Sequence, residues 1–360
     1  MWITLAIAVV AAVVLLAVAA LILRAVIQAR RAAKLAIRTQ NGVNENSFLR
    51  IGGIEQWVSI RGEDRANPLL IVAHGGPGSC MTPFIDDSTQ AWEKHFTVVH
   101  WDQRGAGLTY SRSPKAQGEL SLARIADDGI EVTRHALQRT GQAKALLLGI
   151  SWGSVVIMAM ARRQPELFHA VVGAGQVVDM QRNEAVGYEC LLARVRAAGD
   201  QRAEASLLKL GAPPYASLKQ LMAERRVLNA HPPASERGVQ GRIIRLLLTA
   251  PGFSLTQILD WFQGASVSGV ALLDTLMTYS DDPPAPLEVP YVLIQGAEDI
   301  QTPTSLAATY FEAMQAPAKR YASIPGGGHY AVVSMADEFL AALLADARPF
   351  ALSSSSAPRP

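Results

Sequence analysis

Cysteine is scarce in this chain: 360 residues carry two, Cys80 and Cys190, far apart and without metal-ligand spacing. That excludes a disulfide framework and a cysteine-built metal site, and it fits a reducing compartment. A charge excess of either sign is missing too. The 33 Lys and Arg against 31 Asp and Glu leave a formal net charge of +2. So small an excess, with no basic-aromatic motif, argues against a nucleic-acid partner. Internal repeats are absent, which excludes solenoid and propeller architectures.

Side-chain charge is absent altogether from the first 23 residues. Ile3 to Leu23 reads ITLAIAVVAAVVLLAVAALIL, and about 20 apolar residues are long enough to span a bilayer as a helix. This run accounts for much of the 49% hydrophobic content and of the mean hydropathy of +0.16. A core helix is rarely apolar all round over such a length. A signal peptide normally opens with a positive region, and this chain opens MWITLA. Export after cleavage at Ala17-Val18-Ala19 is the alternative. Arg24, Arg30, Arg31, Lys34 and Arg38 follow the run and no basic residue precedes it. The positive-inside bias then predicts a single-pass membrane protein with the remainder in the cytoplasm. The same basic cluster reads either as a helix against anionic headgroups or as a solvated linker.

Beyond that cluster, apolar strand patterns alternate with helical ones. FLRIGGIEQWVSIRGED reads as two strands around Gly52-Gly53, and LLIVAH, FTVVHWD, KALLLGI and FHAVVGAG read as buried strands. Such alternation predicts an α/β fold with a mostly parallel sheet covered by helices on both faces. It lapses from about Asp179 to Pro286, where Leu, Ala, Arg and Glu with proline punctuation predict several helices and no strand. It resumes at VPYVLIQG. A helical insertion between two halves of one sheet reads as a cap over the site. The expected organisation is therefore an anchor over 1–24, a basic linker over 25–45, and core over 46–178. The cap covers 179–286, the second core part 287–350, and a disordered tail 351–360.

The chemistry concentrates in Gly149-Ile150-Ser151-Trp152-Gly153, which follows a strand pattern and precedes a helical one. Strand, G-x-S-x-G, helix is the setting of a nucleophile elbow, in which a sharp turn lifts the serine hydroxyl above the sheet edge. A serine at neutral pH needs a base, an acid to orient that base, and two oxyanion donors. Among seven histidines, His329 in IPGGGHY combines a glycine turn with a late position. His95, His100, His135, His169 and His231 have structural readings on strands, a helix or the cap. Asp299 in QGAEDIQTP lies just past the strand VPYVLI, with Glu298 its rival and Asp281 and Asp282 weaker candidates. Trp152 supplies one expected oxyanion amide. The other comes from His74-Gly75-Gly76-Pro77-Gly78, Gly76 first and Gly75 as the alternative. No metal or organic cofactor is implied.

HGGPG, then DQRGAG at Asp102 to Gly107, then GISWGS together resemble the α/β-hydrolase family of prolyl aminopeptidases (proline iminopeptidases). The resemblance spans roughly residues 45 to 350. It implies a Ser151–Asp299–His329 triad, oxyanion donors at Gly76 and Trp152, and release of an N-terminal residue from short peptides through an acyl-enzyme. Arg104 reads as a structural ion-pair partner. Family enzymes specific for proline use acidic, tryptophan-rich cap sequences to hold the substrate ammonium. This cap has one tryptophan, Trp261, and offers Glu184 and Glu189 as anchors. A carboxylesterase or amidase acting on an apolar substrate is the alternative, and a catalytically silent tethered binding protein is the rival from another class. Oligomeric state is not legible.

Overall fold

The computed structural model describes residues 1–353; most of the expected disordered tail lies outside the described residues, and Arg348–Ser353 is helical. The first helix, Trp2–Lys34, is long and apolar enough to cross a membrane, and none of its apolar window is buried. It does not stop where the apolar run ends. It continues without a break through Arg24, Arg30, Arg31 and Lys34, while Arg38 lies in the irregular stretch 35–42 before strand β1 begins at Val43, so the first part of 25–45 is helix and not linker.

The last turns of this helix are docked on the rest of the protein. Arg24 Nε donates to the Leu248 carbonyl at 2.9 Å, and Gln28 Nε2 to the Ala250 carbonyl at 2.7 Å. Arg31 is buried and pairs with Asp86 at 2.6 Å. Positions 24, 28 and 31 share one helix face. Arg31 is therefore committed to the protein rather than to lipid headgroups or solvent.

Eight strands form one sheet in the order β1-β2-β4-β3-β5-β6-β7-β8. They are β1 Val43–Ile51, β2 Ile54–Gly62, β3 Leu69–Ala73, β4 Thr97–Trp101, β5 Ala145–Ile150, β6 Phe168–Ala174, β7 Tyr291–Gly296 and β8 Lys319–Ile324. The β1–β2 hairpin turns at Gly52-Gly53 and is antiparallel to its neighbours; β3 to β8 are parallel. Continuous apolar runs suit these strands because both faces are covered. In β3, Leu69, Ile71 and Ala73 enter one core cluster while Leu70 and Val72 enter the other.

Six α-helices and one short 3-10 helix, Ala234–Glu236, occupy the stretch between Asp179 and Ser280. Asp179 and Ser280 form an antiparallel bridge that closes the base of this insertion. Asp179 also caps the first of its helices, Met180–Ala197, by accepting from the Arg182 amide at 2.8 Å. Two small apolar clusters hold the insertion together. One joins Leu246, Leu247, Phe253 and Ile258 to Phe84 and Leu108 of the core. The other packs Leu191, Val195, Leu207 and Leu228 among cap helices.

Candidate active site

Ser151 links β5 to the helix Trp152–Arg163 with φ 54° and ψ −120°. It is the sole non-glycine residue with positive φ among the described residues. Such a backbone costs of order 1–3 kcal/mol and persists only where the surroundings impose it. The flanking glycines serve close packing. A Cβ on Gly153 would run into the Ala73 carbonyl oxygen, and one on Gly149 into the Gly153 carbonyl oxygen. The elbow helix thus lies against the ends of β3 and β5, and the strain falls on the serine.

His329 follows β8 through the Gly326–Gly328 turn. Its Nε2 lies 3.0 Å from Ser151 Oγ and its Nδ1 2.9 Å from Asp299 Oδ2. The Asp299 side chain is fully buried, and every contact it makes is a donor. Oδ1 accepts from the amides of Gln301 and Thr302, both at 2.9 Å. Oδ2 accepts from Gln295 Nε2 at 3.1 Å and Thr302 Oγ1 at 2.7 Å, besides His329. A carboxylate so held keeps the proton of neutral His329 on Nδ1 and leaves Nε2 free to accept from the serine hydroxyl. Glu298, one residue earlier, is exposed. Asp281 is bound by Arg162 and Tyr310, and Asp282 by Arg182. The structure brings together Ser151, Asp299 and His329, and none of the rival acids.

The HGGPG loop leaves the C-terminal end of β3 beside the elbow. A Cβ on Gly75 would lie 3.3 Å from the Ser151 Cβ, so this loop passes directly over the serine. Gly76 has φ +119° and precedes a cis Pro77. Trp152 opens its helix, so its amide has no partner within that helix. Burial pushes the His74 imidazole down to about 4, keeping it neutral. Its Nδ1 donates to the Gly75 carbonyl at 2.8 Å, and its Nε2 accepts from the Gln103 amide at 3.1 Å. The Gln103 side chain donates to the His74 carbonyl at 3.0 Å and accepts from Trp152 Nε1 at 3.1 Å. Gln103 therefore ties the loop to the elbow helix. In DQRGAG the sequence draws attention to Arg104, which forms a buried ion pair with Asp128 at 2.9 Å. No local pattern marks Gln103, because its role depends on β4 lying next to β3.

The cap residues fall differently from expectation. Glu184 is buried, but its oxygens are taken by Arg225, which also binds Glu224. Glu189 is exposed on the outer side of its helix. It lies five residues on from Glu184, which turns it about 140° around the helix. The cap acid that packs on the His329 turn is instead Glu236. Its Oε1 accepts from the Tyr330 amide at 2.5 Å, and its carboxylate lies against Gly328. Burial raises the Glu236 carboxyl above its ordinary value. A cavity of about 30 Å³ is lined by Glu236, Glu298, Ile300, His329 and Tyr330. That is room for one or two waters. Only the nearby proline pair marks Glu236 in the sequence, a turn signal without chemical meaning.

Residues 70–342 match the alpha/beta hydrolase family. The chain belongs to that family. This hydrolase is 30% identical over 289 residues to a probable aminopeptidase, YbaC, of Bacillus subtilis (strain 168), a match covering 78% of this chain and 89% of the relative. A proline iminopeptidase of Neisseria gonorrhoeae is 31% identical over 137 residues, covering 36% and 39% of the two chains. The crystal structure of the Mycobacterium smegmatis proline iminopeptidase superposes with a TM-score of 0.59 at 20% identity. It covers 86% of this chain and 100% of that one. The hydrolase core and the resemblance to proline iminopeptidases are thus shared with known proteins.

Proposed function

We propose that this hydrolase is a membrane-anchored serine aminopeptidase releasing the N-terminal residue of short peptides through an acyl-enzyme. Ser151 Oγ attacks the carbonyl carbon of the scissile amide and passes its proton to His329 Nε2. Asp299 orients the imidazole and stabilises the imidazolium. The amides of Trp152 and Gly76 receive the oxyanion. As the tetrahedral intermediate collapses, the C–N bond breaks and His329 protonates the leaving amine. Water then attacks the acyl carbon, giving its proton to His329. The Ser151 ester bond breaks, the free acid leaves, and Ser151 regains the proton.

The carrying observation is the strained Ser151 within 3.0 Å of an imidazole whose other nitrogen meets a buried carboxylate. Glu236, beside that imidazole, is the acid placed to receive the substrate ammonium. The cavity beside His329 is far below the several hundred cubic ångströms of a ligand pocket, and Ser151 does not line it. On this reading substrate reaches Ser151 by movement of the cap. The apolar N-terminal helix spans the bilayer, with the catalytic domain on the cytoplasmic side by the positive-inside bias.

The test pairs a fluorophosphonate probe with a substrate panel of proline and alanine arylamides and short-chain nitrophenyl esters. Wild type should label and Ser151→Ala should not, with arylamides turned over. Labelling of the alanine variant removes the nucleophile assignment. Ester turnover without arylamide cleavage replaces the peptidase reading with the esterase one.

A further inference from the structure

The cap helix Leu255–Ala271 presents an apolar stripe to the outside. Leu255 is 51% exposed and Leu259 61%, and Phe262 and Val270 are exposed with them. At 100° per residue these four fall within an arc of about 80°, with the buried Gly264 and Ser268 on the far side of the helix and Ile258 and Ala265 on its flank. The preceding cap helix, Val239–Leu248, adds exposed Ile244 and Leu248 around exposed Arg245.

What lies beside this stripe identifies its occupant. The turn joining the two helices is the segment held by the N-terminal helix. Arg24 donates to the Leu248 and Phe253 carbonyls, and Gln28 to those of Ala250 and Phe253. Arg24 is the first charged residue after the apolar run, so the turn lies at the level where that run leaves hydrocarbon. The charge pattern agrees. Between Val239 and Leu273 the chain has one acid, Asp260, and it accepts a hydrogen bond from Ser111 at 2.6 Å. An apolar face carrying an arginine and no free acid suits an anionic lipid surface.

We propose that the outer face of helices Val239–Leu248 and Leu255–Ala271 rests in the headgroup region of the bilayer. The inference rests on the reading that the N-terminal helix spans that bilayer. The inner face of the Leu255–Ala271 helix meets the oxyanion loop. A Cβ on Gly78 would touch Ala265, and Ser268 Oγ donates to the Gly105 carbonyl at 2.8 Å. One cap helix thus touches lipid on one side and the catalytic apparatus on the other.

The test uses full-length protein in phosphatidylcholine–phosphatidylglycerol vesicles, with Cys190→Ser to remove the partly exposed thiol. A polarity-sensitive fluorophore is attached through Leu259→Cys, Leu15→Cys or Glu166→Cys in separate proteins. Glu166 is exposed and precedes β6, at the sheet edge opposite the cap. Cooperative unfolding of each labelled protein establishes that it is folded. Spin-labelled lipid should quench the fluorophore at positions 15 and 259 and leave position 166 bright. Quenching at 15 without quenching at 259 overturns the proposal while leaving the anchor intact. Absence of quenching at 15 removes the anchor reading, and this one with it.

Discussion

In the core, β3 sends Leu69, Ile71 and Ala73 to one side of the sheet and Leu70 and Val72 to the other, and all are buried. In the cap, the Leu255–Ala271 helix buries Ile258 and leaves Leu255, Leu259 and Phe262 in the open. The contrast extends to charge. Asp299 in the core accepts five hydrogen bonds that fix one orientation. The cap acids Glu184 and Glu224 share Arg225. Core geometry is therefore over-determined, whereas the cap joins the main core only at its base, through Met180, Leu272, Leu276 and Met277, and is otherwise held by two small clusters. A part with few buried apolar contacts is the part that opens at low cost. On the proposed function, chemistry and substrate choice fall in regions of different rigidity.

The rigid side of this contrast breaks hardest at Asp299. Asp299→Asn keeps the volume but replaces an acceptor with an amide, so His329 loses the partner that fixes its tautomer. The kcat should fall by about 10⁴-fold, and the unfolding temperature should also drop, because the new amide meets the Gln295 Nε2 donor. A loss under tenfold would mean that another acid orients the imidazole. Next comes Gly153→Ala. The added methyl meets the Ala73 carbonyl carbon at 2.7 Å and the His74 carbonyl oxygen at 2.9 Å. Backbone cannot step aside as a side chain would, so destabilisation of about 3 kcal/mol or more is expected in urea unfolding. A neutral effect would show that the elbow helix is not pinned to β3.

The core was legible because its signals are local. A buried parallel strand writes itself as an apolar run, and the glycine-flanked serine between strand and helix marks the elbow. His329 and Asp299 were readable because each follows a strand end, where side chains gather above the sheet. Gln103 was not, because its contact with His74 needs the β4–β3 adjacency, which no short stretch encodes. In the cap, sequence gave helices but not which acid faces the site. Glu184 and Glu236 differ in partner, not in local pattern, and only tertiary placement separates them. The basic cluster failed similarly: Arg31 reads as a headgroup or solvent charge until Asp86 is seen beside it.

Acid should expose the burial of the core histidines. Burial pushes His100 down to about 3 from its ordinary 6.5. Below pH 6.5 the unfolded chain takes up a proton that folded His100 refuses. Its contribution to stability is thus lost as pH falls from 6.5 towards 3, at up to about 1.4 kcal/mol per pH unit. Asp102 acts in the opposite sense. Burial raises it to about 6 from 3.8, so the folded state holds the extra proton and this term weakens as pH rises from about 4 to 6. Unfolding of wild type and His100→Gln between pH 7 and 4 isolates the histidine, since Asp102 is common to both. The wild type should lose stability relative to the variant; parallel curves would mean His100 titrates normally.

The cap side of the comparison rests on Glu236 and gives the smallest effect. Glu236→Gln retains an oxygen to accept from the Tyr330 amide but loses the charge beside His329. If Glu236 receives the substrate ammonium, KM for an aminoacyl arylamide should rise about tenfold, the worth of one charge-assisted contact. Hydrolysis of a nitrophenyl ester, which carries no amine, should keep its KM. Glu189→Gln, on the exposed side of its helix, should change neither. Equal losses on both substrates would make Glu236 a brace for the His329 turn rather than an anchor. A rise with Glu189→Gln instead would require the cap to rotate during opening by more than the present docking permits.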